Sequence, residues 1–149
     1  RFVVTQQTTI HNLVAFYENR GITNYTGRLQ QTSIAIAKPF TDGPLANVYK
    51  VNLSHQNYVA VKCVKHNDPY KKLKRGAREM SVWLPQYHEN ILPILGFAVV
   101  EDDLAMVSQW MNNGHVRNYV SQSSQARLDI LGFSELNSSG LLSTFTNTE

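Results

Sequence analysis

Apolar and polar positions first fall into a helical rhythm. Ile10, Leu13, Val14 and Phe16 or Tyr17 recur at helical spacing over residues 9–20, and Gly21 follows as a stop signal, so a short amphipathic lead-in helix is expected. From residue 33 to 64 the texture becomes β-rich. Runs at 34–37, 48–53 and 58–64 are separated by the turn-rich Thr41-Asp42-Gly43-Pro44 and Ser54-His55-Gln56-Asn57, which predicts three consecutive antiparallel strands. Asp68 then offers a helix cap with Pro69 at the first helical position. Leu73, Ala77, Met80 and Leu84 form the stripe of a buried face, and Pro85 ends it. Runs at 94–100 and 104–108 flank the polar Glu101-Asp102-Asp103 and predict a hairpin. The pattern as a whole is α+β: a five-stranded antiparallel sheet with one principal helix.

Beyond Asn112-Asn113-Gly114 the signal weakens. Val116, Tyr119 and Val120 suggest a short helix, and another begins at 126–131. Of the 18 residues from 132 to 149, 11 are Gly, Ser, Thr or Asn, so this tail reads as loop or disorder. The expected organisation is an N-terminal helical extension over 1–32, a sheet-and-helix lobe over 33–111, the start of further helices over 112–131, and an irregular tail over 132–149.

Composition narrows the function classes. A chain of 149 residues with 42% hydrophobic content is long enough for one core. The formal charge of +3, from 14 basic and 11 acidic side chains, is too mild and too mixed for a nucleic-acid surface. Cys63 alone makes no internal disulfide, and the five histidines show no paired ligand spacing, so a reducing, cytoplasmic setting without structural metal is expected. The longest apolar stretch, 91–100, contains Pro93 and Gly96 and falls far short of the roughly 20 residues that span a bilayer. The chain opens on Arg1 with no basic-then-apolar leader, which reads as a soluble fragment without membrane attachment.

The chemistry concentrates on the strand Tyr58-Val59-Ala60-Val61-Lys62-Cys63-Val64. Alternation puts Ala60, Lys62 and Val64 on one side and Val59, Val61 and Cys63 on the other. A small residue beside an ammonium suits a flat base over Ala60 and phosphates near Lys62. The alternative is an ordinary surface lysine on a half-exposed strand. An ammonium on an apolar sheet needs a compensating carboxylate, and Glu79, 17 residues on in the principal helix, is the candidate. On the opposite side of that helix Lys71, Lys72, Lys74, Arg75 and Arg78 form a basic face, most simply a solvated one.

In this order, Val59-Ala60-Val61-Lys62, Arg78-Glu79 and His88-Glu89-Asn90-Ile91-Leu92 resemble the strand lysine, helix glutamate and His-x-Asn-Ile-Leu segment of eukaryotic protein kinases. The run from Leu104 to Gly114 is similar to the strand and hinge that follow, closest to the tyrosine-kinase-like group and its fungal branches. The resemblance covers about residues 33–131. It implies a kinase small lobe and hinge over 33–111, with the first helices of the large lobe after it. It also implies ATP as ligand with magnesium as its companion ion. The ATP-binding residues it implies are Gly43, Val48, Ala60, Lys62, Glu79, Ser108 as gatekeeper, the Gln109 carbonyl, and the Met111 amide and carbonyl.

Departures from the family are equally specific. Its phosphate loop carries three glycines, whereas Thr41-Asp42-Gly43-Pro44-Leu45-Ala46-Asn47-Val48 keeps only the middle one; Ala46 adds a methyl and Pro44 removes an amide donor. Weaker phosphate contacts are expected. The catalytic-loop aspartate, its asparagine and the metal-binding aspartate of kinase chemistry have no counterpart: after Met111 the only acids are Asp129, Glu135 and Glu149, and His115 precedes Val116-Arg117. No catalytic residue and no metal ligand is therefore assigned, and the chain is expected to be inactive and truncated before the helical large lobe. A truncated product, an altered reading frame and a fragment are all open. The alternative function is a pseudokinase-like module that docks on a protein, such as another kinase, or a nonfunctional fragment. A small basic RNA-binding sheet is a third reading, but it lacks aromatics interleaved with basic residues.

Overall fold

The principal helix forms where its capping signals place it. Asp68 accepts a hydrogen bond from the Lys71 amide at 3.0 Å, Pro69 opens the first turn, and α3 runs over Pro69–Trp83. The computed structural model describes residues 2–30 and 38–112. The strand expected at 34–37, the helices expected beyond 112 and the tail lie outside those residues. In chain order the elements are α1 (Ile10–Glu18), β1 (Thr23–Asn24), α2 (Thr26–Gln30), β2 (Thr41–Asp42), β3 (Ala46–Ser54), β4 (Asn57–Val64), α3, β5 (Ile94–Val100) and β6 (Asp103–Gln109). Residues up to 87 together with 92–110 make one unit; His88–Ile91 belong with Met111 onward to a second.

The described strands form one sheet in the order β1-β5-β6-β4-β3-β2. Its four long strands pair antiparallel, as the alternation predicts. The fold is the expected α+β lobe, with a difference at the margins. Short strands extend both edges, making six described strands, and β1 runs parallel to β5, with Thr23 opposite Gly96 and Asn24 opposite Phe97. Two residues are too few to show alternation, so β1 leaves no periodic trace in the sequence. Helix α2 escapes sequence reading for a similar reason, since five residues hold little more than one turn.

The β3–β4 and β5–β6 hairpins close through residues without glycine. His55 and Gln56 sit at φ 43° and 67°, Glu101 and Asp102 at 49° and 66°, the left-handed pairs of two-residue turns that match strand twist. Strand pairing imposes this conformation on side chains that disfavour it.

Each face of the sheet carries a core. On one, Leu13 and Tyr17 of α1 and Ala77 and Met80 of α3 pack with Val64, Phe97, Leu104 and Met106. On the other, Leu29 of α2 packs with Val51, Val59, Val61, Ala98, Ala105 and Val107. Each large side chain buried in full contributes about 2 kcal/mol before the cost of ordering the chain. Gly76 of α3 is buried facing Leu104 of β6.

Candidate functional site

The site is built on the α3 side of three neighbouring strands. Register pairs Lys62 of β4 with Val48 of β3 and with Met106 of β6, and pairs Ala60 with Lys50 and Ser108. Because opposite residues in a sheet share a face, Val48, Ala60, Lys62 and Ser108 lie together on the side where Val64 meets Ala77 and Met80. Val59, Val61 and Cys63 belong to the opposite core, as alternation requires.

Helix α3 supplies the counter-charge. Burial of Ala77 and Met80 fixes its rotation, and the intervening face carries Glu79, whose Oε2 lies 3.0 Å from Lys62 Nζ. The side chains are 20% and 29% exposed, so the pair is partly shielded from solvent without being sealed. Glu79 is shared: its Oε1 lies 3.6 Å from Nε of Arg75, one turn earlier. A second ion pair fixes the same helix to the β5–β6 turn, with Lys72 Nζ 2.6 Å from Asp103. Lys72 and Arg75, read in the sequence as a solvated basic face, thus have defined acidic partners.

The glycine-poor loop is a tight hairpin. The Gly43 amide donates to the Ala46 carbonyl at 3.0 Å, the Lys65 amide donates to the Leu45 carbonyl at 2.9 Å, and the Lys65 ammonium pairs with the Asp42 carboxylate. The Gly43 donor is therefore engaged within the chain, and Pro44 has none. A Cβ on Gly43 would meet the Ala46 carbonyl oxygen at 3.2 Å, so the retained glycine serves this close approach.

Ser108 is buried at 4% exposure at the centre of the face, while Gln109 ends β6 exposed and opposite Val59. Met111 is exposed and begins the second unit. Sequence reasoning missed two aromatics. Phe40 and Trp110 meet edge to face with ring centroids 4.7 Å apart, and the Lys50 ammonium lies 4.4 Å from the Tyr58 ring centre and 5.1 Å from that of Trp110. Phe40 stands immediately before the loop and Trp110 immediately before Met111. That flanking position is the only trace they leave in the sequence.

Burial raises the Cys63 thiol from its ordinary 9.0 to about 12; Asp103 and Glu101 add to the rise and Lys72 opposes it. The thiol stays protonated at neutral pH, which suits packing and not nucleophilic chemistry. Among the described residues no three His, Cys, Asp or Glu side chains gather to hold a metal ion, and no helix is long and apolar enough to cross a membrane.

Comparison with known proteins finds receptor kinases. Over 78 residues the chain is 33% identical to the L-type lectin-domain containing receptor kinase I.11 of Arabidopsis thaliana, an alignment covering 52% of this chain and 11% of that protein. A second Arabidopsis protein, the L-type lectin-domain containing receptor kinase I.4, is 31% identical over 78 residues, or 52% of this chain and 12% of its own length. The brassinosteroid LRR receptor kinase BRL3 of Oryza sativa subsp. japonica is 28% identical over 92 residues, or 59% and 7%. This chain thus spans about a tenth of the length of the relatives it matches. The protein tyrosine and serine/threonine kinase family matches residues 34–144, past residue 131, where the resemblance read from the sequence ends. With a match over most of the chain, and the strand lysine, helix glutamate and following segment in family order, the chain belongs to the protein tyrosine and serine/threonine kinase family.

Proposed function

We propose that this lobe binds ATP on the α3 side of the sheet, and that these 149 residues by themselves transfer no phosphate. The observation that carries the reading is the 3.0 Å Lys62–Glu79 pair on the same face as Val48 and Ala60. Val48 and the small Ala60 leave room for a flat base. Lys62, kept extended by Glu79, presents its ammonium to phosphate oxygens. Ser108 limits the depth of the base site as gatekeeper. The Gln109 carbonyl is the backbone group of this lobe assigned to the edge of the base.

Phosphate contacts are weaker than in a loop with three glycines, because the Gly43 amide already serves Ala46 and Pro44 has no donor. The described residues fit a base and phosphates better than a magnesium ion. Glu79 is committed to Lys62 and Arg75, and Asp42 to Lys65, so neither is free to act as a metal ligand. The 149 residues also contain no catalytic-loop aspartate with its asparagine. The hinge-like run from Leu104 to Gly114 supports placement in the tyrosine-kinase-like group, fungal type, and the lone, half-buried Cys63 suits a reducing, cytoplasmic setting.

The test is thermal unfolding with and without ATP and magnesium, comparing wild type with Lys62→Ala. Ligand at about a hundred times its Kd stabilises by roughly 2.7 kcal/mol, so a Lys62-dependent rise in Tm is expected. A folded wild-type chain with no shift would refute nucleotide binding. Magnesium-dependent phosphotransfer abolished by Lys62→Ala would refute inactivity. A second reading, a pseudokinase-like docking module, draws on Val82 and Tyr87, which are 60% and 94% exposed at and just beyond the end of α3. Concentration-dependent sedimentation supports that reading, and a monomer that binds no hydrophobic dye sinks it.

A further inference from the structure

Residues 2–30 do more than precede the sheet. They straddle the edge of β5. Strand β1 pairs along it, the Tyr25 amide donates to the Phe97 carbonyl at 2.8 Å, and the Val99 amide donates to Thr26 Oγ1 at 3.0 Å. Helix α1 packs into the core on one face and Leu29 of α2 into the core on the other. The edge is shaped to receive this segment. A Cβ on Gly96 would lie 2.2 Å from the Thr23 carbonyl oxygen and 2.9 Å from the Tyr25 ring, so the missing side chain is the notch in which β1 sits.

Helix α1 shares its core with the helix that carries Glu79. Tyr17 meets Phe97 at a tilt with ring centroids 5.2 Å apart, and Leu13 and Tyr17 share their core with Ala77 and Met80, the residues two before and one after Glu79. Met80 has no exposed surface. Successive helix residues are about 100° apart, so the direction in which Met80 is buried sets the direction in which Glu79 points. Without α1, the core that Ala77 and Met80 enter loses Leu13 and Tyr17, which weakens the packing that holds this rotation.

We propose that Leu13 and Tyr17 are positioning residues: residues 2–30, seated by the Gly96 notch, hold α3 through Met80 in the orientation that brings Glu79 to Lys62. The structural claim stands without nucleotide; its consequence for ATP rests on the function proposed above. Loosening of α1 lets α3 loosen while the β3–β4 hairpin, whose core on the other face is completed by Leu29 of α2, stays formed.

The experiment compares Tyr17→Ala, Tyr17→Phe and Gly96→Ala with wild type in the full chain and without nucleotide. It uses backbone hydrogen exchange and site-resolved acetylation of lysines, with Lys50 as internal control. In Tyr17→Ala and Gly96→Ala we expect exchange over residues 77–83 and acetylation of Lys62 relative to Lys50 to rise on the order of tenfold, with the β3–β4 amides still protected. Tyr17→Phe, which keeps the ring, should match wild type. If residues 10–24 lose protection while α3 and Lys62 keep wild-type rates, the proposal is overturned. Loss of protection throughout the sheet in both Tyr17→Ala and Gly96→Ala overturns it too, because the segment is then common core. These responses in a chain whose wild type ignores ATP would sink the nucleotide reading and leave this one standing.

Discussion

Gly76 lies in the middle of α3, buried against β6, and its replacement by alanine has a sign that the structure decides. Glycine in a helix interior costs about 1 kcal/mol relative to alanine, so Gly76→Ala gains that amount if the new methyl fits. The methyl would lie 3.4 Å from Leu104 Cδ2, 3.7 Å from Cβ and 3.8 Å from Cγ. Carbon atoms attract best at about 3.5–4.0 Å, so two contacts are favourable and one needs a shift of about a tenth of an ångström at the flexible end of a leucine. Burying the methyl adds up to roughly 0.8 kcal/mol, less the strain of that shift. The net expectation is stabilisation by about 1 kcal/mol. Urea unfolding should show it as a midpoint higher by roughly 0.5 M at unchanged slope. A midpoint lowered by a similar amount would mean that α3 needs the bare backbone at Gly76, and the reasoning would be wrong. Gly96→Ala is the contrast: at 2.2 Å from a backbone oxygen nothing flexible can give way, and the same chemical change should destabilise.

Two further outcomes follow from the same coordinates. Gln56→Gly and Asp102→Gly, at φ 67° and 66°, should each raise stability by about 1 kcal/mol by removing a left-handed side chain from a two-residue turn; a fall in Tm would show that the original side chain makes a contact worth more. Burial pushes both the Cys63 thiol and the Tyr17 phenol to about 12, so the folded state holds protons that the unfolded chain releases earlier. Their contribution is therefore complete below about pH 8.5 and is lost as pH climbs toward 12. The urea midpoint should be lower at about pH 10.5 than at about pH 8, and Cys63, half-buried and protonated, should react with thiol reagents at neutral pH more slowly than an unstructured cysteine. Rapid labelling of the native chain would contradict this burial.

How much was legible in advance depended on whether the cause was local. Asp68 and Pro69 announce α3 because a cap and a first turn are made by adjacent residues. The alternation of residues 58–64 assigns the faces of β4 because strand geometry has a period of two. Lys62 and Glu79 could be matched because an ammonium on an apolar face needs a carboxylate and the next helix offers one. Other features have no local cause. Strand β1 exists because Gly96, more than 70 positions later, leaves room for Thr23; the left-handed turn at Glu101 and Asp102 exists because β5 and β6 pair. Phe40 meets Trp110, Arg75 shares Glu79, and Asp42 is held by Lys65 only once the sheet has brought distant segments together. The sequence by itself determined the periodic elements, their ends and the residue types available for chemistry, because those follow from spacing along the chain. Tertiary structure alone decided which edges are covered, which charges are shared and which donors are free, because those depend on distances between segments that no periodicity encodes.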